Sequence, residues 1–75
     1  MSAVVKRSVS IRGHRTSFSV EQAFFDELQT IAKARAMSLA GLIAEIDENR
    51  PRNANLSSAI RLYVLAQIKA GASPQ

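Results

Sequence analysis

The chain has 75 residues, no cysteine and one histidine, which excludes disulfides and thiolate metal sites and predicts one small domain. So short a chain buries only a modest share of its unfolded surface, and without disulfides or a metal it is expected to be stabilised by a partner chain. We therefore expect a homodimer. The net charge is +4, and residues 1–20 contain four basic residues and no acidic one. A basic segment of this kind indicates either a surface for a polyanion or a solvated end of the chain.

The sequence carries no pattern typical of export or of membrane insertion. Lys6 and Arg7 are not followed by an apolar segment, as they would be in a signal peptide. The longest strongly apolar stretch, LYVLA at residues 62–66, is too short to span a bilayer. We expect a cytoplasmic protein that does not associate with a membrane.

Residues 15–20, RTSFSV, alternate between two kinds of side chain with a period of two. This alternation predicts a half-buried strand, with a basic residue and hydroxyls on its exposed face. The exposed set is Arg15, Ser17 and Ser19, and the inward set is Thr16, Phe18 and Val20.

Two partners for this strand fit the sequence. One is local: residues 8–12 can form a hairpin with it through a Gly13–His14 loop, with Val9 opposite Phe18, although Arg12 then faces Arg15. The other is the same strand of a second chain, paired antiparallel about a two-fold axis.

Three helices follow. The first, about residues 21–36, has an apolar stripe that includes Phe24, Phe25 and Leu28. The second begins with Ser38 as its N-cap and places Leu39, Leu42, Ile43 and Ile46 on one face. Gly41 lies inside this helix, where close approach by another backbone is one reason to place a glycine.

Residues 51–56 are predicted to be a linker, because Pro51 stops a helix and asparagines favour turns. A third helix is predicted at residues 57–71, capped by Ser57 or Asn55, before a loose tail at 72–75. Leu62 and Leu65 lie outside its main apolar face. A helix that is apolar on more than one side is buried on more than one side, which again favours a partner chain.

The order of these features, HRTSFSVEQAFFDELQTIAKARAMSLAGLIAEI, resembles the ribbon-helix-helix domain of the Arc and MetJ repressor type over about residues 15–50. The added NLSSAIRLYVLAQIK helix is similar to a small bacterial subfamily. The resemblance implies a mainly α fold with one N-terminal strand, an intertwined homodimer with an intermolecular antiparallel ribbon, and a third C-terminal helix. Ala36 departs from the glycine that the family favours before the second helix; if its backbone is left-handed, alanine costs about 1 kcal/mol.

The resemblance also implies roles for individual residues in binding double-stranded DNA. The ribbon would lie in the major groove, with Arg15, Ser17 and Ser19 contacting bases. Phosphates would be held by the start of the second helix and by a basic arm at residues 1–14. The phosphate-contacting set is Ser38, Leu39, Ala40, Lys6, Arg7 and Arg12. The dimer core would contain Phe18, Val20, Phe24, Phe25, Leu28, Leu42, Ile43 and Ile46.

The N-terminal arm has an alternative, which is an ordered outer strand. A ribbon with an outer strand on each chain would have four strands, about 4.8 Å apart, and would be too wide for a major groove of about 12 Å. A flexible arm along the DNA backbone is therefore preferred from the sequence.

The expected function is a sequence-specific DNA-binding protein, a transcriptional repressor acting as a dimer. One alternative is an antitoxin-like module that binds DNA with its ribbon and a protein partner with its C-terminal helix. Another is a dimeric interaction protein with this fold and no DNA binding. The sequence contains no nucleophile–base pair, metal-ligand cluster or phosphate-binding glycine loop, so neither an enzyme nor a cofactor is expected.

Overall fold

The computed structural model describes residues 3–71, which form a β-hairpin followed by three helices. The predicted tail at residues 72–75 lies outside these residues. The elements are β1 (Val4–Ile11), β2 (His14–Glu21), α1 (Gln22–Ala34), α2 (Leu39–Asn49) and α3 (Leu56–Gly71).

The two strands are antiparallel and joined by a two-residue turn at Arg12 and Gly13. Both turn residues have positive φ angles, 51° and 81°, as a type I′ turn requires. The expected pairing of Val9 with Phe18 is wrong, since Val9 lies opposite Thr16. The observed register places Arg12 in the turn and so avoids the like-charge pair with Arg15. It moves the pairing by two residues, which leaves every side chain on its expected face.

Residues 4–11 thus form an outer strand, which was the alternative to a flexible arm. β1 pairs with β2 along its whole length, so the single chain has two strands where the resemblance implies one. The cause is an alternation in β1 itself, because Val5, Val9 and Ile11 face the helices while Lys6 and Ser8 are exposed.

α1 ends in a Schellman motif that requires a left-handed residue. The N–H of Met37 donates to the carbonyl of Ala32 at 2.8 Å, and that of Ala36 donates to Lys33 at 3.1 Å. Ala36 has φ 57° and is therefore left-handed. The cost of about 1 kcal/mol that the sequence analysis attaches to a left-handed alanine applies at this position.

α2 begins at the predicted cap. The N–H of Gly41 donates to Ser38 Oγ at 3.0 Å, and a Cβ on Gly41 would lie 3.0 Å from that same oxygen. The glycine therefore makes room for the cap hydroxyl, and no other backbone is needed to explain it.

α3 is capped by Asn55, whose Oδ1 accepts from the N–H of Ser58 at 2.8 Å. One face of α3 closes the core through Leu56, Ile60 and Val64. Leu62, Leu65 and Ile68 remain exposed, with 64%, 49% and 43% of their surface accessible. The helix is apolar on more than one side, as the sequence indicates, but one of these sides is uncovered in the single chain.

One core unites all five elements within a single chain. The residues expected in the dimer core belong to this core or pack against it. Each large apolar side chain buried here contributes about 1.5–3 kcal/mol. The buried members of the expected set are Phe18, Val20, Phe25, Leu28, Leu42, Ile43 and Ile46, while Phe24 is half-buried against them.

Candidate nucleic-acid interface

The hairpin presents a polar outer face made by both strands. In the observed register Lys6 lies opposite Ser19, Ser8 opposite Ser17, and Ser10 opposite Arg15. Cross-strand partners project on the same side of an antiparallel pair, so the six side chains form one surface. All are exposed except Ser19, which is half-buried.

The opposite face of the hairpin is anchored to the helices. Ile11, Phe18 and Val20 are almost completely buried, with 5%, 3% and 0% of their surface accessible. The polar face therefore belongs to a strand pair whose other side is packed in the core. A rigid strand pair of this kind fixes the positions of the side chains that would contact a ligand.

Arg7 lies on the core-facing side, apart from Lys6. Its guanidinium carbon is 3.7 Å from the centroid of the Phe25 ring, and its Nη2 donates to Gln22 Oε1 at 2.7 Å. Its Nε is buried without a hydrogen-bond partner. Consecutive strand residues point to opposite faces, so the structure separates Lys6 and Arg7, which the sequence groups as phosphate contacts.

The charge on the outer face is positive along most of its length. Lys6 and Arg15 belong to it, and Arg12 projects from the turn. Arg12 lies 3.0 Å from Glu48, but both side chains are more than half exposed, so this ion pair is weak.

The only carboxylate on the hairpin is at its open end. Glu21 Oε1 accepts a hydrogen bond from Arg61 Nε at 2.9 Å. This hydrogen bond holds the pKa of the Glu21 carboxyl below its usual value, so the group is ionised at neutral pH and its charge is offset by Arg61. The outer face is thus free of an unpaired negative charge.

The start of α2 retains two backbone donors. The N–H groups of Gly41 and Leu42 are satisfied by Ser38 Oγ and by the Ser38 carbonyl. Those of Leu39 and Ala40 have no intrahelical acceptor, and no acidic residue occupies the first turn.

The other end of α2 contacts the hairpin turn through Glu48, which forms an ion pair with Arg12. With 11 residues at about 1.5 Å each, the start of α2 lies about 16 Å from the end that contacts the turn.

The free edge of β2 is partly occupied by α3, which the sequence did not indicate. The N–H of Ser19 donates to Ser57 Oγ at 2.9 Å, and the Ser19 carbonyl accepts from Arg61 Nη2 at 3.4 Å. Ser57 is available for this contact because Asn55 caps α3. The competition between two cap candidates was visible in the sequence, but a contact between positions 38 residues apart was not.

A second polar cluster joins the three helices. Arg35 Nη1 donates to Glu45 Oε2 at 2.8 Å and to the Tyr63 hydroxyl at 2.9 Å. The hydrogen bond from Arg35 lowers the pKa of Glu45, and those to Glu45 and Tyr63 raise the pKa of Arg35 above its usual value. This cluster links the C-terminal end of α1 to the middle of α2 and the middle of α3. Within residues 3–71, no group of histidines and carboxylates is arranged to hold a metal ion.

A polar, basic face on a β-hairpin backed by helices is the architecture of a class of nucleic-acid-binding domains. The sequence of residues 4–68 matches a family described as ribbon-helix-helix domain, and the chain belongs to that family. Its members are DNA-binding regulators in general and not enzymes. The comparisons with curated proteins and with solved structures give no match. None of the helices described between residues 3 and 71 has the length and hydropathy needed to cross a membrane.

Proposed function

We propose that the protein is a sequence-specific transcriptional repressor that acts as a dimer in the bacterial cytoplasm, with its β-ribbon in the major groove of DNA. The observation that carries this proposal is the outer face of the hairpin. It is exposed and basic, and its one carboxylate is neutralised by Arg61.

Arg15 and Ser17 are the proposed base-reading side chains, and Ser19 joins them at the half-buried end. An arginine can donate two hydrogen bonds to guanine, and a hydroxyl can donate to or accept from several base edges. The exposure of Arg15 and Ser17 supports this role, because exposed side chains are accessible to a ligand.

The proposed phosphate contacts come from three places. Lys6 projects from the outer face, Arg12 from the turn, and the N–H groups of Leu39 and Ala40 from the start of α2. Helix N-termini favour anions because their backbone donors and the helix dipole point at the ligand. Arg7 is engaged by Phe25 and Gln22, so we assign it a structural role in this conformation.

Dimerisation is supported by the uncovered apolar side of α3. Leu62, Leu65 and Ile68 recur at intervals of three residues on this helix and are exposed together. The same surface favours the second candidate function, an antitoxin-like module that engages another protein through α3. An interaction protein that has lost DNA binding is the third.

A selection from a random duplex DNA pool at physiological salt tests the proposal. The wild type and an Arg15→Ala/Ser17→Ala/Ser19→Ala variant would be compared. An enriched motif with two-fold symmetry, absent with the variant, is the expected result. If neither protein enriches a sequence and both bind only weakly at low salt, the basic face is a general polyanion surface and the repressor proposal fails.

A further inference from the structure

We infer that β1 contacts the DNA backbone beside the major groove, so that Ser8 and Ser10 bind phosphates together with Lys6. This inference rests on the proposed function, with the ribbon in the groove formed by β2 of two chains. One β1 strand then flanks the ribbon on each side. The two serines of β1 differ in role from their neighbours on β2, because they hold the duplex without reading its sequence.

The position of β1 in the sheet carries the inference. β1 pairs with β2 along its whole length, so it lies one strand spacing farther from the axis of the ribbon. With strands about 4.8 Å apart, β2 lies about 2.4 Å and β1 about 7.2 Å from the midline of the sheet. A major groove about 12 Å wide has its walls about 6 Å from that midline. β2 therefore lies within the groove, whereas β1 lies over the phosphates at its edge.

The outer face of β1 is made of side chains that bind phosphate. Lys6, Ser8 and Ser10 lie on the same side of the hairpin as the outer-face residues of β2, and all three are exposed. Strand side chains stand roughly perpendicular to the sheet, so those of β1 point at the groove edge when those of β2 point into the groove. Ammonium and hydroxyl groups are common donors to phosphate oxygens. β1 contains no acidic residue to oppose this contact.

The inner face of β1 is anchored, which fixes the position of its outer face. Ile11 is buried in the core, and Arg7 stacks on the Phe25 ring while its Nη2 donates to Gln22 Oε1. Gln22 Nε2 in turn donates to Asp26 Oδ1 at 2.8 Å, one turn further along α1. β1 is therefore held against α1 and the core. It can bind phosphates without the entropic cost of ordering a free arm.

Ser8→Lys tests the position of β1 by adding one cation to it. Affinity is measured by fluorescence anisotropy on the duplex that wild type selects and on a scrambled duplex. We expect Ser8→Lys to bind both about fivefold more tightly and to steepen the slope of log affinity against log salt by about 0.9, because it adds one phosphate contact. Gln67→Lys is the matched control on the helical side of the hairpin, at an exposed position beside the end of α1. It should bind within about twofold of wild type, because salt screens distant charges.

Ser8 and Ser17 form a matched pair that separates phosphate contact from base reading. They lie opposite each other in the hairpin, and both are exposed. Ser8→Ala should weaken binding to the selected and the scrambled duplex by the same factor, about three- to tenfold, because it removes one hydrogen bond to a charged group. Ser17→Ala should instead reduce the preference for the selected duplex. A reduced preference in Ser8→Ala would show that β1 reads bases and would overturn the inference.

A disulfide between the strands tests whether β1 stays beside β2 on DNA. The N–H of Gln22 donates to the Ala3 carbonyl at 3.3 Å, and by alternation along the ladder Ser8 and Ser17 form a non-hydrogen-bonded pair. Such residues have Cα atoms about 4.5 Å apart, which a disulfide can bridge. The chain has no cysteine of its own. Oxidised and reduced Ser8→Cys/Ser17→Cys should bind equally well, whereas binding that is lost on oxidation and restored by reduction would show that β1 must leave β2.

The outcomes separate the two proposals. If wild type selects a symmetric motif but Ser8→Lys binds no better than Gln67→Lys, the inference about β1 is overturned and the proposed function stands. If wild type itself does not bind duplex DNA, both proposals fail. Unfolding temperatures of all variants, measured in parallel, establish that the comparison is between folded proteins.

Discussion

The two faces of the hairpin share one backbone but differ in polarity and in burial. The inner face is apolar and buried, and it holds β1 and β2 against the helices through Ile11, Phe18 and Val20. The outer face is polar, and five of its six polar side chains are exposed while Ser19 is half-buried. Core residues and the residues proposed to contact DNA therefore alternate along the same strands, and substitutions one position apart should affect different properties.

The largest effect is expected from Phe18→Ala on the inner face. Removing a buried phenyl ring leaves a cavity and should lower the free energy of unfolding by about 3–5 kcal/mol. Ser17→Ala, one residue away on the outer face, should change it by less than about 0.5 kcal/mol. Urea unfolding followed by circular dichroism measures both. Equal destabilisation by the two changes would show that the faces are not separate.

Arg15→Ala should weaken DNA binding and leave the stability of the fold unchanged. We expect a loss of about 1–3 kcal/mol in binding to the preferred duplex and a relaxed preference at one base pair. Its urea midpoint should match that of wild type, because the side chain is exposed. An equal loss on preferred and on random duplex would contradict a base-reading role and assign Arg15 to phosphate contact.

Arg7 and Lys6 are neighbours in sequence on opposite faces, which makes them a matched pair. Arg7→Ala should cost about 1–2 kcal/mol of stability, because it removes the stacking on Phe25. Lys6→Ala should leave stability unchanged and reduce the slope of log affinity against log salt by about 1, because one phosphate contact is lost. Binding titrations at several salt concentrations and urea unfolding of both variants give the answer. If Arg7→Ala reduces the salt slope without lowering stability, Arg7 contacts a DNA phosphate and its structural role is wrong.

Ala36→Gly changes stability at a site away from the hairpin. The left-handed backbone of Ala36 penalises a Cβ, so the glycine variant should be more stable by about 1 kcal/mol. Ala34→Gly, inside the end of α1, is the control and should be destabilising by a similar amount. DNA affinity should be unchanged in both, which calorimetric unfolding and anisotropy can verify together. A loss of stability in Ala36→Gly would indicate that this residue is not left-handed in solution.

The smallest expected effect is a response to acid at two ion pairs, one between the hairpin and α3 and the other between the end of α1 and α2. Arg61 lowers the pKa of Glu21 and Arg35 lowers that of Glu45, so both carboxylates favour the folded state when ionised. This contribution is fully present above the usual value of 4.5, and it is lost as the pH falls through the lower pKa values of the folded state. A Glu21→Gln/Glu45→Gln variant should lose less stability than wild type over that range in pH-dependent urea titrations. Identical profiles would mean that these ion pairs do not form in solution.

Much of the local structure was predictable because its causes lie within a few residues. The period-two pattern of β2 predicted its faces, and Ser38 predicted the start of α2. Apolar residues at positions i, i+3, i+4 and i+7 predicted the core-facing side of α2. The family resemblance is confirmed by the match over residues 4–68. The strand at residues 4–11 was the less favoured of two interpretations, because a ribbon of four strands would be too wide for the major groove. The sequence could not show that the alternate valines of this strand have helices to pack against.

The sequence by itself determined the alternation of side chains, the capping residues and the basic character of the first twenty positions, since each depends on short-range geometry or on composition. Tertiary structure decided how these elements meet. Only the packed chain places Arg7 on Phe25, 18 residues apart in number, and Ser57 on the Ser19 amide. It also brings residues of all five elements into one core. These contacts depend on which surfaces meet after the hairpin closes and α3 folds back, and no local pattern encodes that choice.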